Sequence, residues 1–296
     1  MGERVHLVVP AGRIDPRFLD MARMRLESWG YTVTEGEHAR QPLGRFGGTK
    51  RGRAEDLNNA FRDPDIRYIL CARGGYGMVQ IVDQLVQPTN NAMVIGFSDI
   101  TALHLMLGKY DIPSIHASMA KHIAEIGKNR TACEALKAVM DGEPVHYDIP
   151  AHPLNRPGKI EGILRGGNLA VMCGLQGTPF AVRTDEPCVL FIEDVGERPY
   201  AIDRMLNNLR LSGVLRNIKG LIVGQFTDYE EDTQMGGTLF ERIRMMVEPY
   251  DYPVLFKFPA GHVPYNMPLI MNAKCQLEIT NQGATLDQAG CASYIK

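Results

Sequence analysis

Residues 93–101 read Met93-Val94-Ile95-Gly96-Phe97-Ser98-Asp99-Ile100-Thr101. A short apolar strand runs directly into apolar residues at helical spacing, and a serine stands at the junction. A serine mounted there has its hydroxyl lifted above the sheet, beside the N–H groups and positive dipole end of the following helix. Those donors suit negative charge developing next to a nucleophile. The same Ser-Asp pair also suits an N-cap, and Ile100 stands where the usual Gly-x-Ser-x-Gly hydrolase turn has glycine.

An attacking serine needs a base, and eight histidines are present. His104 follows Ser98 by six positions in the same helix, too far along to reach back. His116 and His122 lack the metal-binding His-Glu-x-x-His pattern, His38, His146 and His152 fall in polar stretches, and His6 begins a strand. His262 follows an apolar strand and Pro259-Ala260-Gly261, where active-site loops belong. An orienting carboxylate is offered by Glu193, Asp194 and Glu197 at the end of the apolar run 188–192. Glu193 and Asp194 point to opposite faces if the strand stays extended, so only one can serve. Gly74-Gly75-Tyr76-Gly77 follows a strand without matching either nucleotide-binding glycine pattern. Its backbone N–H groups, with that of Asp99, suit an oxyanion hole.

Alternating strands and helices must position these groups. Strands are expected at 5–9, 31–34, 66–73, 93–96 and 114–116, with helices between them, including one over 78–85. That order implies an α/β fold with a mostly parallel sheet, helices on both faces and ligands at the carboxyl ends of the strands. The stretch 142–158 carries Pro144, Pro150, Pro153 and Pro157 and reads as a linker. It separates an N-terminal α/β domain (1–141) holding the serine from a C-terminal domain (159–296) holding the carboxylate and histidine. In the second half, strands are expected at 159–164, 188–192, 220–223, 254–258, 269–271 and 276–279, a turn at 165–168, and helices at 201–211 and 238–247.

The 296 residues carry a net charge of −2, with the signs interspersed, so neither nucleic acid nor a membrane surface is an expected partner. No apolar run suits a signal peptide or a bilayer span, and the expected location is the cytoplasm. Six scattered cysteines argue for reduced core residues, and no metal-ligand spacing or cofactor motif is present.

Arg73-Gly74-Gly75-Tyr76-Gly77, Gly96-Phe97-Ser98-Asp99-Ile100-Thr101-Ala102, Gly166-Gly167-Asn168-Leu169, Leu190-Phe191-Ile192-Glu193-Asp194 and Gly261-His262 together closely resemble the L,D-carboxypeptidase family of serine peptidases. That family includes muramoyltetrapeptide carboxypeptidases and microcin C self-immunity peptidases. Phe46-Gly47-Gly48-Thr49 and Arg53-Ala54-Glu55-Asp56-Leu57 resemble a further family segment. The resemblance implies Ser98 as nucleophile, His262 as general base and then acid, and Glu193 as its orienter, with Gly75 and Asp99 N–H groups as the oxyanion hole. It implies a smaller β-rich C-terminal domain and a homodimer with a site between domains. It also implies a small murein-peptide substrate that loses a terminal D-alanine in peptidoglycan recycling. Arg73 and Gly74 are the candidates for binding substrate, with Arg73 on the terminal carboxylate. Two other readings are cleavage of peptidyl or aminoacyl nucleotides, and a two-domain ligand-binding protein whose serine only caps a helix.

Overall fold

The computed structural model describes residues 2–294. The first half contributes five strands: β1 (Arg4–Val8), β2 (Thr32–Glu35), β3 (Ile66–Cys71), β4 (Met93–Gly96) and β5 (Ser114–His116). The second half contributes β6 (Val145–Pro150), β7 (Gly158–Asn168), β8 (Cys188–Val195), β9 (Gly220–Thr227), β10 (Val254–Phe256), β11 (Leu269–Met271), β12 (Ala273–Ile279) and β13 (Gly283–Gln288). They form a six-stranded sheet in the order β11-β5-β4-β3-β1-β2 and a seven-stranded sheet in the order β10-β9-β8-β7-β12-β13-β6.

In the first sheet β1 to β5 are parallel, as expected of strands joined by helical crossovers, and only β11 is antiparallel. β11 lies on β5 with Ile270 opposite Ile115, so a segment of the second half covers the edge of the first sheet. The second sheet is parallel from β7 to β10 and antiparallel from β7 through β12 and β13 to β6. One apolar cluster takes in Val94 and Leu103 from the first half and Leu190 and Val223 from the second. The halves are thus joined by shared core as well as by chain.

Three local expectations are corrected. Residues 78–85 form two short 3-10 turns, Met78–Gln80 and Val82–Gln84, rather than an α-helix. Val79, Ile81 and Val82 are β-branched, Ile81 at φ −127° breaks the spiral, and the Met78 amide is held by the Asp99 carboxylate. Residues 165–168 continue β7 instead of turning. Gly166 and Gly167 have φ of +119° and +132°, and a Cβ on Gly166 would come within 2.1 Å of the Phe191 carbonyl oxygen. A Cβ on Gly167 would come within 2.5 Å of Thr101 Oγ1, so the strand can pass between β8 and the serine helix only because both are glycine. Finally, the proline-rich stretch 142–158 includes β6, which pairs with β13 along the sheet edge where a strand proline is tolerated.

Candidate active site

Strand β4 ends at Gly96, and Phe97 stays extended (φ −155°, ψ −171°). Ser98 then takes φ +64°, a left-handed conformation that costs a non-glycine residue about 1–3 kcal/mol. A 3-10 turn over Ser98–Ile100 leads into the helix Thr101–Gly108. This abrupt reversal lifts the serine side chain over the carboxyl end of the sheet. Among the described residues Ser98 Oγ caps no helix amide; it lies 3.0 Å from His262 Nε2.

The imidazole is fixed from its other side, since His262 Nδ1 lies 2.8 Å from Glu193 Oε2. A carboxylate only accepts at neutral pH, so Nδ1 carries the proton and Nε2 is free to accept from the Ser98 hydroxyl. Glu193 is fully buried in β8, while the His262 side chain keeps 20% of its exposure. Burial pulls the His262 pKa down. The Glu193 hydrogen bond and charge, with weaker help from Asp194 and Asp228, outweigh it and leave the imidazole above its ordinary value.

The alternation of β8 separates the candidate carboxylates. Asp194, on the opposite face from Glu193, accepts from Asn168 Nδ2 at 2.9 Å and from the Ala170 amide at 2.8 Å. It thereby serves the start of the helix Leu169–Gly174. Glu197 lies past the end of β8 and lines a surface cavity of about 830 Å³ with Arg198 and Asp228.

The glycine loop after β3 wraps the serine turn. Gly74 lies so close that a Cβ there would stand 2.9 Å from Ser98 Cβ. Asp99 turns its buried carboxylate away from solvent to accept from the Met78 amide at 2.7 Å. Burial pushes that carboxyl up to about 6, against the pull of the Met78 amide and the Arg53 charge. Among the described residues, the Gly75 and Asp99 amides donate to no protein acceptor, so both keep an N–H for another group. Arg73 is exposed, donates to the Arg13 carbonyl at 3.0 Å, and lines a cavity of about 430 Å³ with Arg13, Arg45, Gly75 and Tyr76. Among the described residues, none of these three arginines pairs with a carboxylate.

Other contributors have weaker signals in the sequence. The Thr101 hydroxyl accepts from the Asn168 amide at 2.9 Å and ties the serine helix to β7. Arg53 is buried and donates to the Pro10 and Gly77 carbonyls at 2.6 and 2.8 Å, bracing the glycine loop from beneath. Its trace in the sequence is the segment Arg53-Ala54-Glu55-Asp56-Leu57, which marked the position without saying what the arginine binds. His104, the histidine nearest to Ser98 in sequence, bonds to Ser114 Oγ and the Gly96 carbonyl oxygen instead.

Two family models match the chain: the LD-carboxypeptidase N-terminal domain over residues 5–117 and the LD-carboxypeptidase C-terminal domain over residues 161–277. The chain belongs to the LD-carboxypeptidase family. It is accordingly a serine carboxypeptidase. A probable murein peptide carboxypeptidase of Bacillus subtilis is 30% identical over 97% of this chain and 92% of its own length. Two solved structures share the fold. A muramoyltetrapeptide carboxypeptidase from Oxalobacter formigenes has a TM-score of 0.89 and 24% identity, covering 97% of this chain and 98% of that one. The microcin C7 self-immunity protein in complex with aspartyl sulfamoyl adenosine has a TM-score of 0.85 and 17% identity, covering 100% and 98%. Among the described residues no helix of this LD-carboxypeptidase family member is long and apolar enough to cross a membrane, and no three His, Cys, Asp or Glu side chains group to hold a metal ion.

Proposed function

We propose that this enzyme releases the terminal D-alanine from murein tetrapeptides through an acyl-enzyme on Ser98. The observation that carries the reading is the unbroken hydrogen-bond chain Ser98–His262–Glu193, with links of 3.0 and 2.8 Å, mounted on a strained serine turn. Ser98 Oγ attacks the carbonyl that joins the L-centre to D-alanine and gives its proton to His262 Nε2. Glu193 holds the Nδ1–H and stabilises the imidazolium. The Gly75 and Asp99 amides receive the oxyanion; one such donor is typically worth about 10² to 10³ in turnover. Collapse breaks the amide bond, His262 returns its proton to the departing amine, and water repeats the sequence to free the shortened peptide.

A carboxypeptidase must also recognise a terminal carboxylate. Arg73 beside Gly75 is our candidate for that contact, and Arg13 and Arg45 make the surrounding cavity cationic. Ser98 comes from the N-terminal half and Glu193 and His262 from the C-terminal half, in a cytoplasmic homodimer that works in peptidoglycan recycling. The name of the Bacillus subtilis relative supports a murein peptide as substrate.

The test is D-alanine release from L-Ala-γ-D-Glu-meso-Dap-D-Ala, followed by mass spectrometry with wild type and Ser98→Ala side by side. Release that disappears in the variant is expected. No release by folded wild type refutes the reading and directs attention to peptidyl nucleotides, then to a binding role.

A further inference from the structure

The loop that carries His262 is held from beneath by a buried polar pair that the proposed chemistry does not use. Asn266 is 2% exposed and His116 is fully buried. Asn266 Oδ1 accepts from the Gly261 amide at 2.8 Å and lies 3.2 Å from His116 Nε2. The Gly261 N–H requires an acceptor, which fixes the carboxamide oxygen on that side, so His116 is the donor and its proton is on Nε2. Burial pushes the His116 pKa down to about 3, which favours the neutral ring. Phe97 and Phe191 box the ring, with centroids 5.6 and 5.0 Å away. Phe97 directly precedes Ser98 and itself packs 5.0 Å from the His262 ring. The pairing of Leu269 with His116 across β11 and β5 brings Asn266, three residues earlier, to this ring.

Gly261 is confined from its other side as well. It has φ +129°, and a Cβ there would stand 3.0 Å from Glu193 Oε2. The backbone leading into His262 is therefore clamped between the Glu193 carboxylate and the Asn266 carboxamide. Among the described residues, Asn266 Nδ2, Glu193 Oε1 and His116 Nδ1 are buried without a protein hydrogen-bond partner. Buried groups of that kind are costly, and where they persist they call for a role. A core that needed only packing would fill these positions with apolar side chains.

We propose that Asn266 is a positioning residue for the His262–Glu193 pair: its carboxamide oxygen fixes the Gly261–His262 backbone, and His116, by donating to that oxygen, locks the carboxamide's orientation. The inference rests on the Ser98–His262–Glu193 reading. A displacement of about 1 Å at a reacting group costs about 10²-fold in rate, so the effect belongs in kcat, since neither residue is placed to touch substrate.

The experiment compares Asn266→Leu, Asn266→Asp, His116→Phe and His116→Gln, using D-alanine release from the tetrapeptide and, without substrate, the downfield proton resonance of His262 Nδ1–H. Asn266→Leu keeps the volume and removes the acceptor; kcat is expected to fall about 10²-fold, with KM within about twofold. Asn266→Asp keeps an oxygen that accepts from the Gly261 amide, so its kcat should stay well above that of Asn266→Leu. His116→Phe keeps the ring and loses the N–H, lowering kcat, and His116→Gln, which keeps a donor, should recover much of that loss.

The resonance is expected to be sharp in wild type and lost in Asn266→Leu. An unchanged resonance there, or kcat within about threefold of wild type, overturns the proposal. So does a rise in KM alone. If Asn266→Leu does not fold, the His116 pair decides, and a His116→Gln no better than His116→Phe overturns it. Because the resonance needs no substrate, failure of the tetrapeptide reading shows separately, as wild type that releases no D-alanine while the resonance still responds to Asn266.

Discussion

Adding a single methyl group at Gly74 should disable the enzyme while leaving it folded. A Cβ at this position would lie 2.9 Å from Ser98 Cβ, 3.1 Å from Ser98 Oγ and 3.3 Å from the Phe97 carbonyl oxygen. Carbon contacts settle at about 3.5–4.0 Å, so the pair must separate by about 0.6–1 Å. The glycine loop cannot easily retreat, because the Gly74 carbonyl accepts from the Gly12 amide at 2.9 Å and the Ala72 amide donates to Val8 at 2.8 Å. Ser98 therefore yields, either by displacement or by rotating Oγ away from His262 Nε2. A nucleophile misplaced by that much loses about 10² in kcat, equivalent to about 2.7 kcal/mol of activation free energy. The fold should lose no more than the about 1–3 kcal/mol typical of overpacking. The assay is steady-state D-alanine release by Gly74→Ala beside wild type and Ser98→Ala, with urea unfolding on the same samples. A folded Gly74→Ala with kcat within about threefold of wild type would refute the idea that this contact constrains the proposed nucleophile.

Neighbouring carboxylates should separate cleanly. Glu193→Gln is expected to lower kcat by roughly 10³ to 10⁴ with folding retained, whereas Asp194→Ala, which removes the acceptor at Ala170, should cost about 1 kcal/mol in urea unfolding and far less in kcat; equal kinetic losses would contradict the face assignment. Arg73→Ala should mainly raise KM, and a KM equal to that of wild type sinks its assignment to the terminal carboxylate. His262 titrates above its usual 6.5, and it must be neutral to act as base, so kcat/KM should fall on acidification with a midpoint above that value; a midpoint below it would refute the reading. Burial lowers His104 and His122 to about 4 and His116 to about 3. At these three sites the unfolded chain takes up protons that the folded one refuses as pH falls through 6.5, so the loss of Tm from about pH 7 to pH 5 should be smaller in His122→Gln than in wild type, and an equal loss would contradict this.

Much of the candidate site was legible because its residues follow strong local rules. The apolar run ending in Gly96-Phe97-Ser98 required a strand-to-helix turn, and the run ending in Glu193-Asp194 required a strand whose last two carboxylates diverge. The order of strands and helices implied a parallel sheet with its functional edge at the carboxyl ends, which is where Ser98 and Gly75 lie; Glu193 lies near the carboxyl end of β8 in the other sheet. Less was legible where local rules conflict with distant packing. Gly166-Gly167 read as a turn, because glycine marks both turns and close backbone approaches, and only the pressure of Phe191 and Thr101 against it distinguishes the two. The prolines of 142–158 concealed β6, because an edge strand needs only half of its backbone groups paired.

Local rules along the chain mark the residues suited to chemistry and the ends of the elements that carry them, since turn geometry and strand alternation act over a few residues. Which of them meet was decided by tertiary structure. Ser98 and His262 are 164 residues apart, and Glu193 and His262 are 69 apart. No local preference specifies a 3.0 Å contact over such separations. It arises because β11 crosses to the first sheet, Thr101 bonds to β7, and both halves bury apolar side chains in one core, so that the free energy of packing, spread over many residues, fixes the position of three.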